Sequence, residues 1–405
     1  MTEALRADIG PRRHLMREPD FLRLWFVGLV VFGVRWLEML AVGVFVYQRT
    51  GSAFVVAMMT MLRLLPMGLF GAWFGAALER LERRTTLIVV VLSIMASSVA
   101  LTALAWTGHL AVWHLGVASF WNGVAWATDN SVRRVMIGEV AGPDRMGRAM
   151  SIDVGSNNAS RMLGPTVGGL LLASVGIEGA FSVGVFLYLF ALLAAYGLRY
   201  RNGRSAPAAG SVLARMSEGF ALARRDPKLV GTLTITVIYN VFGWPFLSMV
   251  PVIGKDNLNL DAVGVGMLAS MDGVGSFLGA IAVALCARPA FYARIYVGGL
   301  TVHLAMLTVF ALVPSPQAAA ASLFLTGFGS SGFSIMQATL VYLAAPADMR
   351  ARVMGVLSVC IGLGPVGFLL LGTMAELIGA QWATVATGLE GLLVLALTRR
   401  WWRQI

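Results

Sequence analysis

The sequence is short of charge. Of its 405 residues only 13% are Asp, Glu, Lys or Arg and 58% are hydrophobic, with a mean hydropathy of +0.78. That balance excludes an ordinary soluble domain. Cysteine is nearly absent too. Cys286 and Cys360 lie in separate apolar stretches with no CxxC partner, which excludes a disulfide scaffold and reads as two small buried hydrophobes. The histidines His14, His109, His114 and His303 are isolated, so no metal is expected. There is no Gly-x-x-x-x-Gly-Lys-Ser/Thr loop, so no nucleotide drives the protein directly and a gradient must. No enzyme signature and no cofactor motif is present. The first twenty residues carry Arg6, Arg12, Arg13 and Arg17 without a short apolar core, so no cleavable signal is expected.

What the sequence has instead is apolar runs of helix length, recurring about twelve times. They fall near 21–47, 53–78, 86–106, 111–132, 150–174, 179–198, 229–252, 262–286, 293–313, 317–343, 353–375 and 379–398. The 31 Lys and Arg residues outnumber the 20 Asp and Glu, and most lie in alternate loops and in both termini. The intervening loops hold Arg49 and Lys255; Arg35, Arg63 and Arg161 lie inside the runs. Positive charge in short loops stays on the cytoplasmic side. The pattern predicts an all-α membrane protein with both termini inside, and it accounts for the pI near 10.4 without nucleic acid.

The two ends of the chain repeat each other. Arg17-Glu18-Pro19-Asp20 is answered by Arg225-Asp226-Pro227-Lys228, and Gly71, Gly75 and Arg84 by Gly275, Gly279 and Arg288. Asp144, Arg148 and Met150 are answered by Asp348, Arg352 and Met354, and Gly164-Pro165 by Gly364-Pro365. Four anchors in one order predict two six-helix bundles, 1–200 and 229–405, joined by a cytoplasmic linker, 201–228, with a short amphipathic helix near Val212–Ala223. In a parallel repeat of this kind the substrate site forms at the midplane between the bundles.

The motifs name a family. Gly75-Ala-Ala-Leu-Glu79-Arg80-Leu-Glu82-Arg83-Arg84 resembles the loop signature of the major facilitator superfamily, with Glu79 and Glu82 where that signature has Asp and Gly. Leu24-Trp25-Phe26-Val27-Gly28 and Val46-Tyr47-Gln48-Arg49-Thr50-Gly51-Ser52 are similar to its drug and siderophore exporter branch, which includes the enterobactin exporter and macrolide efflux pumps. Gly164-Pro165-Thr166-Val167-Gly168-Gly169 is like the antiporter motif, with Ser160 at its upstream glycine. The resemblance implies twelve transmembrane helices and alternating access in a bacterial-type inner membrane.

Charges within the hydrocarbon are costly and are functional hypotheses by default. Arg35 and Glu38 share a helical face and can pair with each other, as a substrate-orienting pair. Arg63, Asn157 and Arg161, with the aromatic residues Trp126, Tyr239 and Trp244, complete the candidate cavity; Trp36, Trp121 and Phe246 lie in the same spans. Asp272 has no basic residue within a helical turn of its own span, which makes it the better candidate proton carrier, with Asp153 and Glu38 next. Gly75, Glu79, Arg80, Arg83 and Arg84 form a candidate inner gate, with Asp129 and Arg133 one turn apart near the same face. Gly164-Pro165 and Gly364-Pro365 are candidate kinks.

These residues predict a proton-coupled exporter of small amphipathic organic compounds, a monomer among membrane lipids. A metabolite importer or uniporter, and a lipid or lysolipid flippase, are the alternatives on the same fold. The three arginines suit an acidic ligand and the carboxylates suit a cation equally well, so the sequence leaves the ligand's charge open.

Overall fold

The computed structural model describes residues 15–78, 81–142, 145–200, 212–346 and 349–405, and the described residues form helices and no strand. Before the linker come α1 (Pro19–Thr50), α2 (Ala53–Leu78), α3 (Arg83–Trp106), α4 (Val112–Ala141) and α5 (Met146–Tyr196). The linker carries α6 (Val212–Arg225), as its amphipathic pattern predicted. After it come α7 (Pro227–Ile238), α8 (Val250–Asp256), α9 (Ala262–Cys286), α10 (Tyr292–Leu312) and α11 (Pro316–Ala344). The chain ends with α12 (Arg350–Ile361), α13 (Gly364–Ile378), α14 (Ala380–Leu397) and the short α15 (Arg399–Trp402).

Nine helical stretches among the described residues are long and apolar enough to cross a membrane. α4 is not one of them: His114, Asn122, three tryptophans and Asp129 lower the hydropathy of its first part, and Arg133 and Arg134 that of the rest. The outward surface is apolar, with Leu285 81% and Leu377 78% exposed, which lipid accepts and water would not.

Turn chemistry sets the helix ends. α1 stops where Gly51 turns left-handed (φ 65°) and its N–H bonds the Tyr47 carbonyl, a conformation glycine adopts without strain. Asp226 caps α7 by accepting from the N–H of Lys228 (2.8 Å) and Leu229 (3.3 Å), with Pro227 in the first turn. The backbone of α5 runs through Gly164-Pro165 and leaves helical geometry at Gly176 (φ 71°). The break at Gly176 falls between the two expected spans 150–174 and 179–198. In the second half, α12 ends at Ile361 and Pro365 lies in the first turn of α13. The break there precedes Gly364-Pro365. The expected seventh span is interrupted as well: α7 passes into a π turn at Tyr239–Gly243 and a 3-10 segment at Trp244–Ser248 before α8. Pro245 and Pro251 lack the amide donors a regular helix would use there.

In lipid, helices associate through close packing rather than hydrophobic burial, so glycine positions mark the tight contacts. α5 packs against α1 at Gly164 and Gly168, where an added methyl would meet Trp36 and Leu37. It packs against α9 where Gly169 faces the Ala262 carbonyl, Gly266 faces Pro165 and Gly273 faces Met162. α2 meets the break between α12 and α13 at Gly68 and Gly362. Gly275 and Gly279, the counterparts of Gly71 and Gly75 in the repeat, face Phe324, Phe328 and Ser331 of α11, within the second half.

One buried apolar cluster draws on both halves of the chain. It joins Val44, Val46 and Val56 to Phe246, Val252, Leu268 and Leu371, at the end of the helices opposite the termini. The cluster near the start of α1, built on Phe21, Leu24, Leu87 and Ile137, belongs to the first half alone. Those built on Leu229 and Val353, and on Tyr296 and Leu304, belong to the second half. The halves are therefore packed shut at the end far from the termini.

Candidate transport site

α1, α2, α4 and α5 turn Arg35, Trp36, Arg63, Trp126, Asn157 and Arg161 toward a cavity of about 250 Å³. Across it stand Tyr239, Asn240 and Trp244 from the interrupted seventh span, and Phe333 and Gln337 from α11. The cavity lies between the halves and holds most of the residues that stood out as polar or aromatic within apolar runs. Glu38 lies behind it, buried. Of the other aromatics expected there, Trp121 is 47% exposed on the outside and Phe246 is buried against His303.

The charges pair differently from their spacing in sequence. Glu38 takes Arg63 as its partner (3.3 Å) and accepts a hydrogen bond from Ser98 (3.1 Å). Arg35, expected to bind Glu38, instead donates to Asn157 Oδ1 (2.6 Å), while Arg63 also donates to the Arg35 carbonyl (3.2 Å). The Arg35 guanidinium lies 4.4 Å from the Trp126 ring centre and 5.1 Å from that of Phe32, within cation–π range. Asp272 has no base on its own helix and finds one across the junction: Arg161 of α5 donates to it. Beside that pair Thr166 and Ser270 share a hydrogen bond (2.8 Å), again from α5 to α9.

Asp129 and Arg133 pair within the first half. Arg133, fully buried, donates to both Asp129 oxygens (3.2 Å) and to Asp153, and packs on Gly28 of α1. Arg134 lies 3.6 Å from the second Asp153 oxygen. α1, α4 and α5 are thereby held together by a buried network, the arrangement in which buried charges are tolerated.

Of the expected inner gate, Glu79 and Arg80 lie outside the described residues, and for Gly75 only the helical backbone is described. Arg83 bonds Glu139 and Tyr200, and Arg84 bonds the Tyr196 carbonyl (2.8 Å), so these contacts tie first-half helices to one another. Burial and its bond to Glu139 hold the Tyr200 phenol above the usual range. Further contacts join the halves at the far end. Tyr47 donates to Asp256, Ser52 donates to Glu376 (2.9 Å), and Lys255 stands 5.1 Å from the Tyr47 ring centre.

Reasoning from sequence missed Asn240, Phe333, Gln337 and His303. Asn240 and Gln337 are amides inside apolar runs, and that signal was available. Phe333 had none, because a phenylalanine in a membrane span is ordinary. His303 was legible only as an isolated histidine; it is a buried ring beside Tyr239 (5.0 Å between centres), bonded to the Thr326 carbonyl (3.1 Å). Among the described residues no three His, Cys, Asp or Glu side chains gather as a metal site.

A polar and aromatic cavity between two halves of an apolar helical chain is what a solute carrier needs, and the sequence comparisons place the chain among such proteins. The profile of the Major Facilitator Superfamily matches residues 24–366. The chain belongs to the major facilitator superfamily. It is a multi-pass membrane transporter of small molecules and not an enzyme. The multidrug efflux pump Tap of Mycolicibacterium fortuitum is 25% identical over 379 residues, covering 91% of this chain and 90% of that one. Macrolide efflux protein A of Streptococcus pyogenes is 21% identical over 267 residues, 65% of this chain and 66% of that protein, just under two thirds of its length. Among solved structures, a POT family transporter in complex with 5-aminolevulinic acid superimposes with a TM-score of 0.76 at 12% identity, over 95% of this chain and 96% of that one. A bacterial homolog of the human lysosomal transporter Spinster, inward-facing and unoccupied, gives 0.72 at 16% identity, over 98% of each chain. At such identities these two establish the fold alone. The superfamily fold was legible in the motifs.

Proposed function

We propose that this transporter is a proton-coupled exporter of small amphipathic organic compounds, working by alternating access. The observation that carries the coupling is the ion pair of Arg161 and Asp272, which joins α5 to α9 beside the cavity. Protonation of Asp272 neutralises its side of the pair and loosens the junction between the halves; loss of the proton restores it. Glu38 and Asp153 each sit with an arginine in the first half, where a proton would alter packing within that half rather than between halves. The direction of transport rests on the relatives, which are efflux proteins.

The reading takes twelve crossings in two bundles, 1–200 and 229–405, with 201–228 between them. α5 supplies two crossings separated at Gly176, and α2 and α4 add to the apolar stretches. With both termini cytoplasmic, as the arginine pattern favours, the closed end is periplasmic and the cavity opens inward. The cluster around Gly75, Glu79, Arg80, Arg83 and Arg84 then closes the inner mouth in the alternate state. The protein works as a monomer in the lipid of a bacterial inner membrane.

Everted membrane vesicles test the function. A proton gradient imposed acid inside, so that protons leave the vesicle, drives uptake of an amphipathic dye if the protein exports; equal uptake with and without the gradient would contradict the proposal.

A further inference from the structure

Counted by partner, the buried charges distinguish the ligand classes that the sequence left open. Glu38 is matched by Arg63 and Asp272 by Arg161. Asp129 and Asp153 share Arg133, with Arg134 at the second Asp153 oxygen. Arg35 remains. It is 9% exposed, its hydrogen-bond partner is the neutral Asn157, and its Nη1 is buried with no partner. Aromatic rings flank its guanidinium, and they soften but do not neutralise its charge.

The placement of the carboxylates sharpens this. The cavity is lined by Arg35, Arg63 and Arg161, while no Asp or Glu lines it among the described residues. Glu38 and Asp272 face separate small spaces behind their arginines. A ligand in the cavity therefore meets guanidinium groups first, and the Nε atoms of Arg63 and Arg161 are also buried without a partner. Surplus donors of this planar kind fit the oxygens of one carboxylate, sulfonate or phosphate group. The wall also carries Trp36, Trp126, Tyr239, Trp244 and Phe333 among aliphatic side chains and the amides of Asn157, Asn240 and Gln337, and the aromatic rings suit a flat apolar body.

Resting on the transporter reading of this cavity, we infer that its ligand is a compact aromatic anion: one acidic group held at Arg35 and a planar ring body against the tryptophans.

Calorimetric titration of the purified full chain with three probes of one ring system tests it: naphthoate, neutral naphthamide and naphthylmethylammonium. Naphthoate should bind about tenfold or more tighter than either of the others, the scale of a hydrogen-bonded charge contact. Arg35→Gln should remove that advantage while leaving naphthamide binding in place, which shows that the variant is folded, and Arg35→Lys should restore part of it. Equal or tighter binding of the ammonium probe by the parent protein overturns the inference. So does undetectable naphthoate binding, or naphthoate affinity unchanged by Arg35→Gln. If Arg35→Gln does not fold, the three probes on the parent protein decide alone. Naphthoate that binds but is not accumulated by everted vesicles upholds this inference and contradicts export; gradient-driven accumulation of the ammonium probe with no naphthoate binding does the reverse.

Discussion

Arg161 of α5 and Asp272 of α9 form a buried ion pair across the junction between the two halves of the chain. Neither has a charged partner within its own helix. The pair exists only while those two helices stay together, so its chemistry and the position of the halves are linked. The same helices approach through Gly169, Gly266 and Gly273, which leaves little room between them.

The Glu38–Arg63 pair has a structural test. Glu38→Gln leaves Arg63 buried beside a neutral partner, and breaking a buried pair costs about 3–5 kcal/mol. A clear drop in the thermal midpoint of the detergent-solubilised protein is expected. Replacing both residues by Met should cost less than either single change, and a larger loss in the double variant would show that the two side chains do not act as a pair.

Glycines divide by what faces them. Gly169→Ala drives a methyl into the Ala262 carbonyl and should lower both stability and transport, because backbone cannot yield as a side chain can. Gly155 of the same helix faces nothing within 4 Å; Gly155→Ala should be neutral or stabilise by about 0.5–1 kcal/mol. Melting curves of the two variants side by side check this ordering.

The latch at the far end predicts a shift in conformation. Tyr47→Phe removes the hydrogen bond to Asp256, worth about 1 kcal/mol, and should raise the population open at that end several-fold. Spin labels at Ser52 and Glu376, in a background with Cys286 and Cys360 replaced, would report a longer distance component. An unchanged distance distribution would mean that the apolar cluster alone holds that end shut.

Topology follows from the arginine pattern. A reporter fused after Ile405 should be active only if it works in the cytoplasm, the side on which basic residues such as Arg399, Arg400 and Arg403 are retained. Activity of a periplasm-specific reporter at the same site would reverse the assignment of the open and closed ends.

Which residues line the cavity was largely legible, and which residues pair was not. Arg35, Arg63, Asn157 and Arg161 stand out because a polar group in an apolar run has few places to go but inward. Their partners cannot be read from spacing. Arg35 and Glu38 are one turn apart and still choose Asn157 and Arg63 on neighbouring helices. Asp272 looks solitary along α9 because its partner lies in another half of the chain. Helix limits were read to within about three residues where glycine closes a run, as at Gly51 after α1, or proline opens one, as at Pro316 of α11. They failed within the seventh span, where Pro245 and Pro251 sit in apolar sequence and the π turn ahead of them leaves no mark.

The most direct measurement is Asp272→Asn in proteoliposomes with an imposed proton gradient. The variant keeps the shape of the side chain and removes its charge. It should bind substrate and exchange it down its own gradient, yet fail to accumulate it against one when protons drive the parent protein to do so. An Asp272→Asn protein that pumps uphill as well as the parent would contradict proton coupling through the Arg161–Asp272 pair.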